Sequence, residues 1–250
     1  MKNLISISPN MKFEMDPLFG HFNEDVVFDM FCFVDKSLSE ALEIHPFTST
    51  SCIILYNHFG DYPMCCKYKN FHYIYLCCRE NYWCQWMLQF AHEYCHHLIG
   101  GLQSGGILGL IWFEECVCEL SSMYHLNNLS RYYDVSHQAN LRLYSPSVRN
   151  YLDERMTVDS EIVSEVNHPG FMYRLETLLQ EPKYHREHYR AIAAKMLPFF
   201  LENPHLWKII LHFGDMCRWH SLEELFQHLR RNATPDYSDS LEKLHSLFFS

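Results

Sequence analysis

From Tyr82 to Leu98 the chain runs without a glycine or proline until Gly100 and Gly101 stop it, and Asn81 stands where a helix cap belongs. Trp83, Met87, Phe90, Tyr94 and Leu98 fall at helical spacing and form one apolar stripe, so the segment is predicted as a helix with one face committed to a core. Inside it lies His92-Glu93-Tyr94-Cys95-His96, an HExxH segment. Histidines at i and i+4 share a helix face, so both imidazoles can converge on a single tetrahedral ion. Glu93 is turned about 100° around the helix from His92. That places its carboxylate beside such an ion rather than on it, where a base for metal-activated water has to stand.

A catalytic zinc wants a third protein ligand and an open position. Beyond Gly100, Gly101, Gly105, Gly106 and Gly109, read as a flexible connection, a second helix is predicted from about Leu110 to Leu129. It offers Glu114, Glu115 and Glu119. Ile111, Glu115, Cys118, Ser122 and Leu126 line up at spacings of three and four, so Glu115 and Glu119 interrupt a small or apolar face. A carboxylate there is costly unless paired or metal-bound.

These residues resemble the gluzincin zinc metallopeptidases, which include thermolysin and the zinc aminopeptidases. The shared pattern is HExxH on one helix, a Glu ligand on the next, and an acidic residue one turn further on. The resemblance implies His92, His96 and Glu115 as zinc ligands and Glu93 as general base; Glu114 is the alternative third ligand that the residues themselves offer. The resemblance also implies that Glu119 orients His92 by accepting its other ring proton. A small sheet is expected before the first ligand helix, with Phe71–Cys78 as the edge strand that pairs with extended substrate. The aminopeptidase GxMEN motif is missing, and Arg79-Glu80-Asn81 does not replace it. A Tyr or His beyond the second helix is expected to hold the oxyanion, with Tyr132, Tyr133, His137, Tyr144 and His168 as candidates.

Around this motif the chain reads as α+β. Asn23 to Leu42 is an amphipathic helix, followed by strands at Ser51–Tyr56, Met64–Tyr68 and Phe71–Cys78. After Arg131 everything reads as helix: Ser145 with Pro146 opens one, Asn203 with Pro204 another, and Ser221 with Glu224 forms a capping box. The expected organisation is a zincin-like lobe over residues 1–130 and a helical lobe over 131–250 that walls the other side of a cleft. His97 is expected in the core or behind the ligands, and Tyr184 to His188 as a solvated helix face.

Composition sets the remaining limits. Thirty Asp and Glu against 20 Lys and Arg give a net charge of -10, which repels phosphate backbones, so nucleic acid is not an expected partner. The first residues lack a signal peptide's apolar core, and the nearly uncharged stretch Ile99–Phe113 is too short and polar to span a bilayer. The 11 cysteines, without a CxxC pair, read as reduced, mostly buried thiols, and the protein is expected to be cytoplasmic. The expected function is hydrolysis of peptide bonds in a peptide or protein substrate, with Zn2+ as cofactor. The alternative is a catalytically silent zincin-fold binding or regulatory module.

Overall fold

The computed structural model describes residues 4–43, 51–69, 71–100, 110–181, 183–214 and 218–250. The glycine-rich connection expected at 101–109 lies outside them. The architecture is α+β, a mixed five-stranded sheet at the N-terminus followed by a mostly helical region.

Two strands that sequence patterning passes over come first, β1 (Leu4–Ser8) and β2 (Met11–Glu14). They form an antiparallel hairpin, and Met11 and Phe13 of β2 turn inward. The helix α1 (Glu24–Leu42) follows, with the Asn23 side chain accepting from the Val26 amide as expected of a cap. Next come β3 (Ser51–Tyr56), β4 (Met64–Tyr68) and β5 (Phe71–Leu76), close to the predicted bounds. The sheet order is β1-β2-β3-β5-β4, with β2, β3 and β5 mutually parallel and β4 antiparallel to β5. β5 is therefore interior, bonded on both sides, and cannot be the expected edge strand. The edge on that side of the sheet is β4, because a hairpin folds it back outside β5.

The helix that carries the HExxH segment, α2 (Trp83–Ile99), packs on this sheet. Trp86 sits 5.0 Å from Phe19 and 6.2 Å from Phe13, and Phe90 sits 4.1 Å from Phe31, between ring centroids, an aromatic layer that joins α2 to α1 and β2. Burying each such ring contributes about 1.5–3 kcal/mol, which commits this face of α2 to the interior. Asn81 does not cap α2; its side-chain oxygen accepts from the backbone amide of Asn23 and so ties the start of α2 to the start of α1. Gly100 ends the helix at φ 127°, with its amide returned to the carbonyls of His96 and His97.

The helix that carries Glu115, α3 (Ile111–Asp134), runs beyond the predicted end at Leu129 and is buried on nearly every side by α2, α4 (Ala139–Met156) and α7 (Arg186–Glu202). Its small residues hold it against α2: Ser121 donates to the Ala91 carbonyl at 2.8 Å and Ser122 to the Leu88 carbonyl at 2.7 Å. These two bonds fix the register of α3 along α2 just before His92.

Ser145 and Pro146 do not open a helix but lie inside α4. The buried Ser145 hydroxyl is used instead to donate to the Ser130 carbonyl of α3 at 2.9 Å, and proline removes only one amide from the ladder. The chain continues through α5 (Ser160–Asn167), α6 (Met172–Leu179) and α7 to a 3-10 helix at Pro204–His212, capped by Asn203 as read. In α8 (Leu222–Asn232) Ser221 caps the Glu224 amide, while Glu224 reaches back to the His220 amide. The helix α9 (Ser238–Phe249) ends the chain. Buried apolar residues form one cluster from Met11 to Phe248. The ten cysteines among the described residues are all free thiols, most of them buried, with Cys32 exposed. No helix among the described residues is long and apolar enough to cross a membrane.

Candidate metal centre

His92 and His96 project from one face of α2 toward α3, their ring centroids 5.1 Å apart. The Glu115 carboxylate meets both: Oε2 lies 3.4 Å from His92 Nε2, and Oε1 lies 3.5 Å from His96 Nε2. Glu93 and Glu119 are buried beside them, and all five side chains line one cleft of about 750 Å³. The residues chosen from sequence as ligands and base are thus brought together.

The spacing carries chemical information. A histidine bonded directly to a carboxylate in this protein sits closer, as His96 Nδ1 does to Glu114 Oε1 at 2.8 Å and His58 does to Asp16 at 2.7 Å. The separations of 3.4 and 3.5 Å are long for such bonds. The two contacts use different oxygens of one carboxylate, so they set the three groups beside one another without defining a tetrahedron; the donor types, imidazole nitrogen and carboxylate oxygen, are those zinc binds. Two imidazoles, one carboxylate and an opening to a cleft therefore fit a catalytic zinc.

Cys118 is a competing donor, since its sulfur and the two histidines offer ligand atoms within 4.8 Å of one another. Burial, Cys95 and the neighbouring glutamates hold its thiol well above the usual range, and it is fully buried rather than on the cleft. A metal needs the thiolate. For Glu115, burial opposes ionisation, but His96 and His92 outweigh it and hold the carboxyl well below the usual range. Glu115 lines the cleft together with both histidines, whereas Cys118 does not line it.

Glu114, weighed from sequence as an alternative ligand, is buried with its carboxylate on His96 Nδ1. That contact leaves Nε2 as the nitrogen free to coordinate. The charged partner of Glu119 is Arg186, at 3.7 Å. Burial raises the pKa of Glu93, with Glu115 and Glu119 adding to the effect and the two histidines opposing it. A raised carboxyl is suited to taking and returning a proton near neutral pH.

None of the five residues proposed to hold the oxyanion lines the cleft. Tyr132 stacks on Phe33, Tyr133 is buried, Tyr144 bonds to Cys84, and His137 and His168 are exposed. The cleft instead presents Tyr184, whose phenol donates to Glu115 Oε2 at 3.2 Å, together with Tyr151, Arg155 and Arg186. Tyr184 to His188 is therefore not a uniformly solvated face: Tyr184 and Arg186 turn to the cleft, and His185 is buried. His188 pairs with Glu165 at 3.1 Å, away from the metal-ligand cluster. Periodicity could not reveal Tyr184, which stands just before α7, because only the tertiary fold brings it to α3. Compared with known proteins, this chain matches no family model, no curated protein and no solved structure.

Proposed function

We propose that the protein is a zinc-dependent peptidase of gluzincin type, with a zincin-like lobe over 1–130 and a helical lobe over 131–250. The observation that carries the reading is the convergence of His92 and His96 on the two oxygens of Glu115, at 3.4 and 3.5 Å, inside a cleft that Glu93 also lines. The second lobe supplies the opposite wall through Tyr151, Arg155, Tyr184 and Arg186.

His92, His96 and Glu115 would hold the ion. Zinc, when bound, supplies a Lewis acid that lowers the pKa of water and polarises a carbonyl. Glu93 accepts the proton of the attacking water on its carboxylate and returns it to the leaving amine. Tyr184 donates its phenolic hydrogen to the oxygen on which negative charge grows. Glu114 holds His96 in the tautomer that coordinates through Nε2; Glu119 is assigned the same task for His92 from its place one turn after Glu115, although its charged partner is Arg186.

Elemental analysis of protein purified without chelator, coupled to cleavage of a mixed peptide library, tests this. One zinc per chain is expected, with cleavage abolished by chelator and restored by zinc. Glu93→Gln should keep the metal and lose about a hundredfold or more in kcat. A zinc-loaded wild-type protein that cleaves nothing would favour the silent binding module.

A further inference from the structure

The wall opposite the ligands carries two guanidinium groups in unlike circumstances. Arg186 lies 3.7 Å from Glu119. Arg155, near the end of α4, also lines the cleft but makes no ion pair or hydrogen bond among the described residues. Its neighbours differ: Arg149 on the same helix holds Asp134 at 2.7 Å, and Arg190 holds Glu187 at 3.0 Å. The Arg155 guanidinium lies over the Tyr151 ring, 4.7 Å from its centroid, and its Nε is enclosed without a partner.

Stacking on an aromatic face immobilises the planar group and leaves its edge to bind. A fixed, uncompensated guanidinium beside a hydrolytic centre calls for an anion from outside the chain. Its paired donors match the two oxygens of a carboxylate better than a single carbonyl. Of the four acids that line the cleft, Glu115 is engaged with the histidines and Tyr184 and Glu119 with Arg186, and neither Asp61 nor Glu93 pairs with Arg155 among the described residues. Resting on the peptidase reading of this cleft, we infer that Arg155, stacked on Tyr151, receives a carboxylate of the substrate. Two sources present the same chemistry, a free C-terminus and an acidic side chain.

Binding to Glu93→Gln protein, measured by fluorescence anisotropy, separates them. One N-terminally labelled peptide is made in four forms, with a free or amidated C-terminus and with an internal Glu or Gln. A carboxylate form should bind about tenfold or more tightly than its amide counterpart, as expected for a hydrogen bond to a charged group. Preference for the free C-terminus identifies terminal recognition; preference for Glu identifies side-chain recognition. Arg155→Gln and Arg155→Met, with unchanged circular dichroism, should erase the difference. Equal or undetectable binding of all four forms, or a preference that survives both substitutions, overturns the inference. The comparison of peptides on a single protein stands even if a substituted chain misfolds. Turnover is not needed for this readout, so a wild-type protein that fails to cleave peptides counts against the peptidase reading alone.

Discussion

His96 and His97 are neighbours on α2, yet they face opposite worlds. His96 points into the cleft side of the helix, where burial disfavours its charge but Glu115 and Glu114 outweigh it and hold its pKa well above the usual value. His97 points into the sheet side, where burial, then His72, pushes its pKa down to about 3. Its side-chain hydrogen-bonding partner among the described residues is His72, Nδ1 to Nδ1 at 2.7 Å, with the rings edge to face. One imidazole stands among carboxylates and the other against a neutral imidazole. The proposed ligand role of His96 thus rests on what α3 brings to that face and not on residue type.

Breaking each side of that comparison should give different losses. His96→Ala should abolish zinc binding and peptide cleavage, because it removes one of three protein ligands. His97→Ala should keep one zinc per chain but lower stability by about 2–4 kcal/mol, through a cavity and an unpaired His72 nitrogen. Metal content and urea unfolding of the two variants decide this. Loss of zinc in His97→Ala alone would reverse the assignment.

The cleft has its own contrast, between the ligand wall and the wall that faces it. Tyr184→Phe should retain zinc and leave KM nearly unchanged while kcat falls by roughly a hundredfold, the loss typical of one oxyanion donor. A change confined to KM would make Tyr184 a binding contact.

The ligand wall was legible in the sequence for a physical reason. His92, Glu93 and His96 are fixed to one another by helical geometry, and Glu115 and Glu119 break an apolar face where ionised groups need a partner. The opposing wall was not legible. Tyr151, Arg155, Tyr184 and Arg186 come from the end of α4 and the start of α7, and no local period links them to α2. The same limit explains the sheet: β5 has the alternation of a half-buried strand at an edge or in the middle, and only pairing with β3 and β4 shows which. Ser145 with Pro146 has the composition of a helix start, but packing against Ser130 carries α4 straight through it. The hairpin β1–β2 escaped notice because its strands are short and β1 has no fully buried residue.

Within the ligand wall the two supporting acids differ. Glu114 bonds to His96 directly at 2.8 Å, whereas Glu119 has Arg186 at 3.7 Å. Glu114→Gln should weaken zinc affinity by roughly ten- to a hundredfold, as loss of a partner behind a ligand does. Glu119→Gln should weaken it by about tenfold, and no change at all would confine Glu119 to its pair with Arg186. Competition with a fluorescent chelator measures both.

The helix α3 repeats the division seen on α2, with Glu115 at the cleft and His125 in the core. His125 is fully buried against Phe33, Tyr124 and Trp207; its Nδ1 donates to the Ser121 carbonyl at 2.7 Å, and Nε2 has no partner among the described residues. Burial lowers its pKa to about 4, with the bond to Ser121 opposing, against 6.5 for the unfolded chain. Between these values the unfolded state holds a proton that the folded state does not, so stability is present above pH 6.5 and is lost as pH falls toward 4. A shift of that size corresponds to about 3 kcal/mol. His125→Leu keeps the site apolar and removes the titrating group, so its unfolding free energy should decline less between about pH 7 and 4.5 than that of the wild type. The comparison uses this difference rather than stability at one pH, because the lost Ser121 bond and altered packing shift both ends of the range alike. An identical decline in the two proteins would move the acid sensitivity away from the core face of α3 and onto the cleft carboxylates, whose protonation at low pH also releases their histidine partners.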